Sequence, residues 1–324
     1  MLSTLNPALE GEFPSATGGK RWTFDEQETN LMSFLTETHG RRQFMKAAAI
    51  TSAGTVAAVA GGLGLSAQPL LKAAVRRQAS PMAKPVTDAD IANFALNLEY
   101  LEAEFYTVAT TGQHIDAFGI GTSGTGTAGP TTGGAQVPFL HPERLAIATQ
   151  IAQDERAHVA LLRQLLGSAA VAKPAINLDA LGVGFANQAE FLTLARAFED
   201  TGVSAYGGAA PYITSQLILG TAARILAAEG EHAANIRYQL LQDEIDNDSL
   251  GPLDAVDIPV GNYRYFSTTV QGLTPIRSPR QVLDIVFHCS GCTSGGFFPD
   301  GVNSDNLAGL AAVPAPDQYV WQKG

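Results

Sequence analysis

Two short strings place a carboxylate three residues ahead of an imidazole: DERAH, with Glu155 and His158, and EGEH, with Glu229 and His232. Three positions along an α-helix turn through about 300°, so each Glu and its His share one face a turn apart, while Glu231 points elsewhere. The neighbours on those faces are apolar. Leu145, Ala148, Ile151, Ala152, Val159, Leu162, Leu165 and Leu166 flank the first pair, and Ala222, Ile225, Leu226, Ala233, Ile236 and Leu240 flank the second. That is the spacing of a buried stripe. A buried carboxylate is costly unless it is paired, hydrogen-bonded or bound to a metal, so other parts of the chain must supply its partners.

Two further glutamates answer that need. Glu99 in NLEYLEAEFY and Glu199 in ARAFED each border an apolar helical stripe, and each has a tyrosine seven residues on, Tyr106 and Tyr206. The order Glu…Tyr followed by Glu-x-x-His thus occurs twice, an internal repeat. Glu99 and Glu155 are 56 residues apart, Glu199 and Glu229 only 30. The excess is close to the length of a Gly- and Thr-rich stretch at residues 119–138, as two related hairpins with one insertion would give. Four carboxylates and two imidazoles, projected into the centre of an antiparallel four-helix bundle, are the ligand set of a di-iron or di-manganese carboxylate site. Hard carboxylates bridge two cations, neutral imidazoles cap each one, and open positions remain for water, oxygen or peroxide. The competing reading is a metal-free buried polar network.

The helices that must position these groups are legible. Thr87 and Asp88 are N-cap candidates for a helix with Ile91, Phe94, Leu98, Leu101, Phe105 and Val108 on its core face, ending near Gly112. Ala95, Glu99, Glu102 and Tyr106 form a second stripe, whereas Glu104 points away. A second helix starts at Pro142 and stops at Gly167. The third covers NQAEFLTLARAFEDTGVSAYGG, with Phe191, Leu194, Ala195, Phe198, Gly202 and Ala205 on one face, and the fourth runs from about Tyr212 to Leu241. Residues 119–138 lack periodicity and read as a long surface loop or hairpin-like excursion. Arg156, Arg196 and Arg224 are expected on solvated faces. Past Asp246 the chain turns rich in Gly, Pro and Asp, with one short helical candidate at residues 278–287.

The fold class this predicts is all-α, an antiparallel four-helix bundle at residues 81–245 with an irregular C-terminal extension at 246–324. Ahead of it, residues 38–68 carry Arg41 and Arg42, then Phe44 and Lys46, then about twenty small and apolar residues, which resembles a twin-arginine export signal. Residues 1–37 read as a disordered polar segment and 38–80 as signal and linker. The apolar part is mostly Ala, Gly, Ser and Thr, a poor permanent span, so no stable membrane anchor is expected after processing. Residues 81–324 hold 12 Lys and Arg against 25 Asp and Glu. So acidic a chain without a basic stripe repels phosphate backbones, which argues against a nucleic-acid partner. Cys289 and Cys292 in HCSGC, in an exported protein, read as a tight disulfide or a redox-labile pair.

The strings NLEYLEAEFY, DERAH, FED and EGEH together resemble the ferritin-like superfamily, in particular the bacterial, fungal and plant branch that includes the desiccation-related proteins. The GGFFPDGVN string of the tail is similar to that branch as well. The resemblance implies a ferritin-like bundle with metal ligands at Glu99, Glu155, His158, Glu199, Glu229 and His232, with Glu102 as an alternative to Glu99 or a residue supporting it. It further implies two iron or two manganese ions and an oxidoreductase acting on oxygen or hydrogen peroxide in stress protection, in a monomer or small homo-oligomer. Export would place the protein in the periplasm or outside the cell. The alternative class is a non-enzymatic protective or metal-sequestering bundle.

Overall fold

The computed structural model describes residues 84–245, 250, 266, 268 and 272–314. The polar segment 1–37, the export signal and linker at 38–80 and most of 246–271 therefore lie outside the described residues. Four long helices make the frame: α1 Asp88–Thr111, α2 Pro142–Leu166, α3 Gln188–Ala209 and α4 Gln216–Gln242.

Local chemistry sets their ends. Thr87 and Asp90 form a reciprocal capping box at the start of α1, and Gly112 ends it in the left-handed region at φ 71°. Pro142 occupies the first turn of α2, where its missing N–H costs nothing. Asn187 caps α3 by accepting from the Glu190 N–H. The last helix starts at Gln216, later than the expected Tyr212. Ala210–Tyr212 is a 3-10 turn containing Pro211, and the Ser215 hydroxyl then accepts from the Ile218 N–H to open α4.

Helix α1 packs on α2 and α3, and α4 packs on α3 and α2. The Asp88 carboxylate at the start of α1 accepts from the backbone N–H groups of Thr214 and Ser215 at the start of α4, at 2.8 and 2.7 Å. The diagonal pair α1 and α4 thus begins at the same end, and every adjacent pair is antiparallel. Residues 167–187 must then cross the length of the bundle from the end of α2 to the start of α3, one long crossover.

Three sequence expectations are refined or corrected here. Residues 119–138 are the expected long surface loop rather than a hairpin-like excursion, and they lie as a strap along the crossover. Thr131–Thr132 (β1) pairs in parallel with Ile176–Asn177 (β2), and Thr125 bridges Val171. The glycines permit this approach: a Cβ on Gly124 would meet the Ala170 oxygen at 2.2 Å, and one on Gly129 the Ala175 nitrogen at 2.3 Å. Second, Glu104 does not face solvent. Strap and crossover cover the outer side of α1, so Glu104 is buried against Lys173 at 3.5 Å and His114 at 3.1 Å. Arg196, likewise expected on a solvated face, is fully buried near Asp200, which also accepts two hydrogen bonds from Arg237.

The C-terminal extension is more regular than its composition implies. Ser278 opens α5, Pro279–Val286, with a capping box, and a short helix α6 follows at Leu307–Ala311. Val282, Leu283, Phe287, Phe297, Phe298 and Leu310 are buried in the same core as the bundle. Asn303 ties the parts together. Its side chain accepts from Thr127 N–H and donates to the Thr127 and Ala172 carbonyls, while its backbone exchanges two hydrogen bonds with the Asn97 amide on α1. Cys289 and Cys292, just past α5, are joined in a disulfide.

Candidate metal centre

Midway along the bundle the four helices turn carboxylates and imidazoles toward one another. α1 contributes Glu99, α2 Glu155 and His158, α3 Glu199, and α4 Glu229 and His232. The four glutamates are fully buried, and the two histidines are 8% and 7% exposed. Their donor atoms fall into two groups, each within 4.8 Å: Glu99, Glu155, His158 and Glu229, and then Glu155, Glu199, Glu229 and His232. Glu155 and Glu229 belong to both. The six residues singled out by spacing therefore meet in two half-sites that share a pair of carboxylates.

The surrounding hydrogen bonds repeat that symmetry. Tyr106 on α1 donates to Glu199 Oε1 on α3 at 2.5 Å, and Tyr206 on α3 donates to Glu99 Oε1 on α1. Each tyrosine thus serves the glutamate of the opposite helix, not the one seven residues before it. One oxygen of each glutamate is fixed by a phenol, which leaves the other free to face the centre.

What those free atoms do is informative. Glu99 Oε2, Glu199 Oε2, both oxygens of Glu155 and of Glu229, and Nδ1 of His158 and His232 are all buried without a hydrogen-bond partner. His158 Nδ1 lies 3.3 Å from Glu99, 3.4 Å from Glu155 and 3.3 Å from Glu229; His232 Nδ1 lies 3.0 Å from Glu155 and 3.5 Å from Glu199. Orphaned buried polar atoms are rare because each costs about 1–3 kcal/mol. Eight in one place match the donors that two cations need: one imidazole nitrogen and one terminal carboxylate oxygen each, plus the four oxygens of two bridging carboxylates. The residues present fit a pair of hard or borderline metal ions.

Electrostatics point the same way. Burial raises the Glu155 pKa, but the imidazoles of His158 and His232 outweigh it and hold the group at about 2. Burial, with the Glu155 charge nearby, lifts Glu99 to about 7 and raises Glu199, and it pushes Glu229 well above the usual carboxylate range. Burial depresses the histidines, yet the carboxylates around them win: His158 is raised, and His232 is pushed up to about 12. Without cations the cluster neutralises itself by taking up protons. Burial, followed by the adjacent carboxylates, also pushes Tyr106 and Tyr206 up, so both phenols remain donors.

Glu102 stands apart from the converging donors. It is buried on the same side of α1, its carboxyl raised by burial and by Glu229. Gly202 on α3 borders both: a Cβ there would lie 2.8 Å from Glu229 Oε2 and 3.3 Å from Glu102 Oε1. A mid-helix glycine, unfavourable for the helix itself, makes room for two carboxylates. Asp154 is the other residue that sequence patterning misses. Its Oδ2 lies 3.3 Å from His232 Nε2, so it orients that imidazole from outside. It is 42% exposed at the side chain and off the apolar stripe, where periodicity carries no signal.

Residues 87–242, which run from the cap of α1 to the last residue of α4, match the family model of the ferritin-like domain. The chain is 29% identical over 177 residues to the desiccation-related protein PCC13-62 of Craterostigma plantagineum, covering 50% of this chain and 56% of that one. It is 34% identical over 103 residues to the ferritin-like catalase Nec2 of Nesocodon mauritianus, covering 32% of this chain and 31% of the relative. The chain thus matches about half of the first relative's length and a third of the second's. Among the described residues no helix is long and apolar enough to cross a membrane. With the metal-competent cluster at its centre, the bundle at residues 87–242 matches the ferritin-like domain family, and the chain is similar to a desiccation-related protein and to a ferritin-like catalase.

Proposed function

We propose that the bundle holds two iron or two manganese ions and acts as an oxidoreductase on oxygen or hydrogen peroxide, in a stress-protective role outside the cytoplasm. The observation that carries this is the set of orphaned donors, two half-sites with a shared carboxylate pair. Glu155 and Glu229 would bridge the ions, His158 and Glu99 would complete one half-site, and His232 and Glu199 the other. When bound, such ions supply Lewis acidity and reversible one-electron chemistry for a small oxygen species.

The protein's own residues prepare that chemistry. The phenols of Tyr106 and Tyr206 hold Glu199 and Glu99 by one oxygen each, which keeps the second oxygen of each oriented inward. Asp154 fixes the ring of His232. Burial of the carboxylates excludes bulk water and strengthens every electrostatic contact inside. The twin-arginine pattern ahead of the bundle supports export of a folded, already loaded protein. The names of the two relatives support the stress-protective and peroxide-directed parts of the reading.

Elemental analysis of the purified chain, beside a Glu155→Ala, Glu229→Ala double variant, tests it. About two iron or manganese per chain, absent in the variant, is the expected result, together with hydrogen peroxide loss or oxygen uptake by the loaded protein. Bound metal without turnover of either substrate would instead support sequestration. No metal in either protein, with equal stability, overturns the proposal.

A further inference from the structure

One turn from the metal cluster, toward the end where α1 and α4 begin, the bundle has a partly open apolar cavity of about 30 Å³. Its walls include Phe94 and Leu98 from α1, Leu162 from α2, Ala205 and Tyr206 from α3, and Ala222 from α4. Every lining side chain is apolar apart from the Tyr206 hydroxyl, and that hydroxyl donates its hydrogen to Glu99. Tyr206 is therefore the partition between cavity and cluster. A second pocket of about 20 Å³ shares Ile91, Phe94, Ala205 and Ala209 with the first and reaches Val282 and Leu310 of the C-terminal extension, where Tyr212 and Arg277 also line it.

Size and lining together select an occupant. A buried water needs roughly 10–15 Å³ and two to four polar partners. The space suffices for water but the partners are missing, and hydrogen peroxide, with two O–H donors, loses the same hydrogen bonds. A fatty chain or an aromatic ring is too large. An apolar diatomic molecule fits and leaves no polar group unsatisfied. Polar groups meet the cluster elsewhere: the partly exposed Asp154 lies against His232 Nε2.

From this we infer that the cavity is a dioxygen site serving the metal centre, with Tyr206 as the wall through which the gas and the centre communicate. The inference rests on the dinuclear reading above for its purpose, but the gas site itself is a property of apolar walls. It holds dioxygen whether the gas is reactant, as in oxidation of reduced metal, or product, as in peroxide disproportionation, while polar species use the Asp154 side.

The test uses the metal-free full-length protein. Xenon-pressurised crystals should show density among Phe94, Leu162 and Ala222. Dioxygen pressure in solution should relax the methyl protons of Leu98 and Leu162 more than those of Val108 and Ile151, which are also buried but do not line the cavity. Ala222→Val, and independently Ala205→Val on the facing helix, should remove the xenon density; in the metal-loaded protein they should slow oxygen-dependent oxidation without changing metal content. An ordered water in the cavity, or equal relaxation of all four methyl groups, overturns the inference. Xenon uptake by a chain that binds no metal overturns the dinuclear reading and leaves the gas site standing. Two metals bound beside a xenon-free cavity do the reverse.

Discussion

Gly202→Ala separates stability from metal binding more cleanly than removal of a ligand. In an ordinary helix interior the substitution stabilises by about 0.8–1 kcal/mol, because glycine has the greater unfolded-state freedom. Here the new methyl group lies 2.8 Å from Glu229 Oε2 and 3.3 Å from Glu102 Oε1. An oxygen at ordinary van der Waals separation, about 3.4 Å, would have to retreat by about half an ångström. Both oxygens end flexible side chains, so the metal-free bundle can absorb that shift, and its urea midpoint should change by no more than the equivalent of about 1 kcal/mol in either direction. The metal cannot absorb it as easily. Glu229 belongs to both half-sites, so moving it disturbs both at once. Outer contacts that orient ligands are typically worth about 10–100-fold in affinity, and that is the expected loss in a chelator-competition titration. A variant that is more stable by the full helix increment and binds metal with unchanged affinity would refute the reasoning, because Glu229 could then not be a bridging ligand held where the structure has it.

Three other outcomes follow from the same contacts. Tyr106→Phe and Tyr206→Phe each remove the phenol donor to a buried glutamate oxygen, so each should destabilise the metal-free protein by about 1–3 kcal/mol; urea unfolding that shows no loss in either variant contradicts the reciprocal bracing. Metal loading at pH 7 should release protons, because His232, pushed up to about 12, holds one and Glu99, raised to about 7, is partly protonated, whereas ligands bind deprotonated. Apparent affinity should then fall as pH falls, and binding heats should depend on the ionisation enthalpy of the buffer; buffer-independent heats exclude the proton uptake. Asp243 is held below the usual carboxylate range by hydrogen bonds from Arg144 and Gln188. That stability is present above the unfolded value near 4 and lost as pH falls through the folded one. Near the surface it amounts to less than about 1 kcal/mol, and Asp243→Asn should flatten the acid limb of the melting curve by that much.

The cluster was legible because metal ligation on a helix imposes a period. A Glu and a His three apart inside an apolar stripe violate the stripe, and a violation repeated in register stands out, as Glu155–His158 and Glu229–His232 do. The same logic fails for residues that act by proximity between elements. Gly202 breaks no sequence pattern strongly enough to reveal the two carboxylates beside it, and Asp154 lies outside the stripe altogether. The surface loop at residues 119–138 was legible, but its pairing with the crossover was not, for a related reason. Its glycines look like flexibility in a string without periodicity, whereas Gly124 and Gly129 are there because another backbone passes within van der Waals contact. Glu104 and Arg196 look like solvated charges until the strap, the crossover and Asp200 are in place around them. Periodicity reports the face a helix turns to its own bundle, and it is silent on what later segments lay over the other faces.

The two half-sites are chemically alike at their cores and unlike at their surroundings, and the unlikeness gives the centre a direction. Glu99 and Glu199 are braced by the same kind of phenol from opposite helices, and Glu155 and Glu229 serve both halves. A structure with only those contacts would treat its two ions equally. Around that symmetric frame, Asp154 stands outside His232, while the apolar cavity adjoins Tyr206 and, through it, Glu99 in the half-site of His158. One half-site therefore borders a carboxylate at the polar surface, and the other borders a dry space fit for a gas. The internal repeat explains the paired carboxylates and imidazoles; the departures from it give the two halves different surroundings.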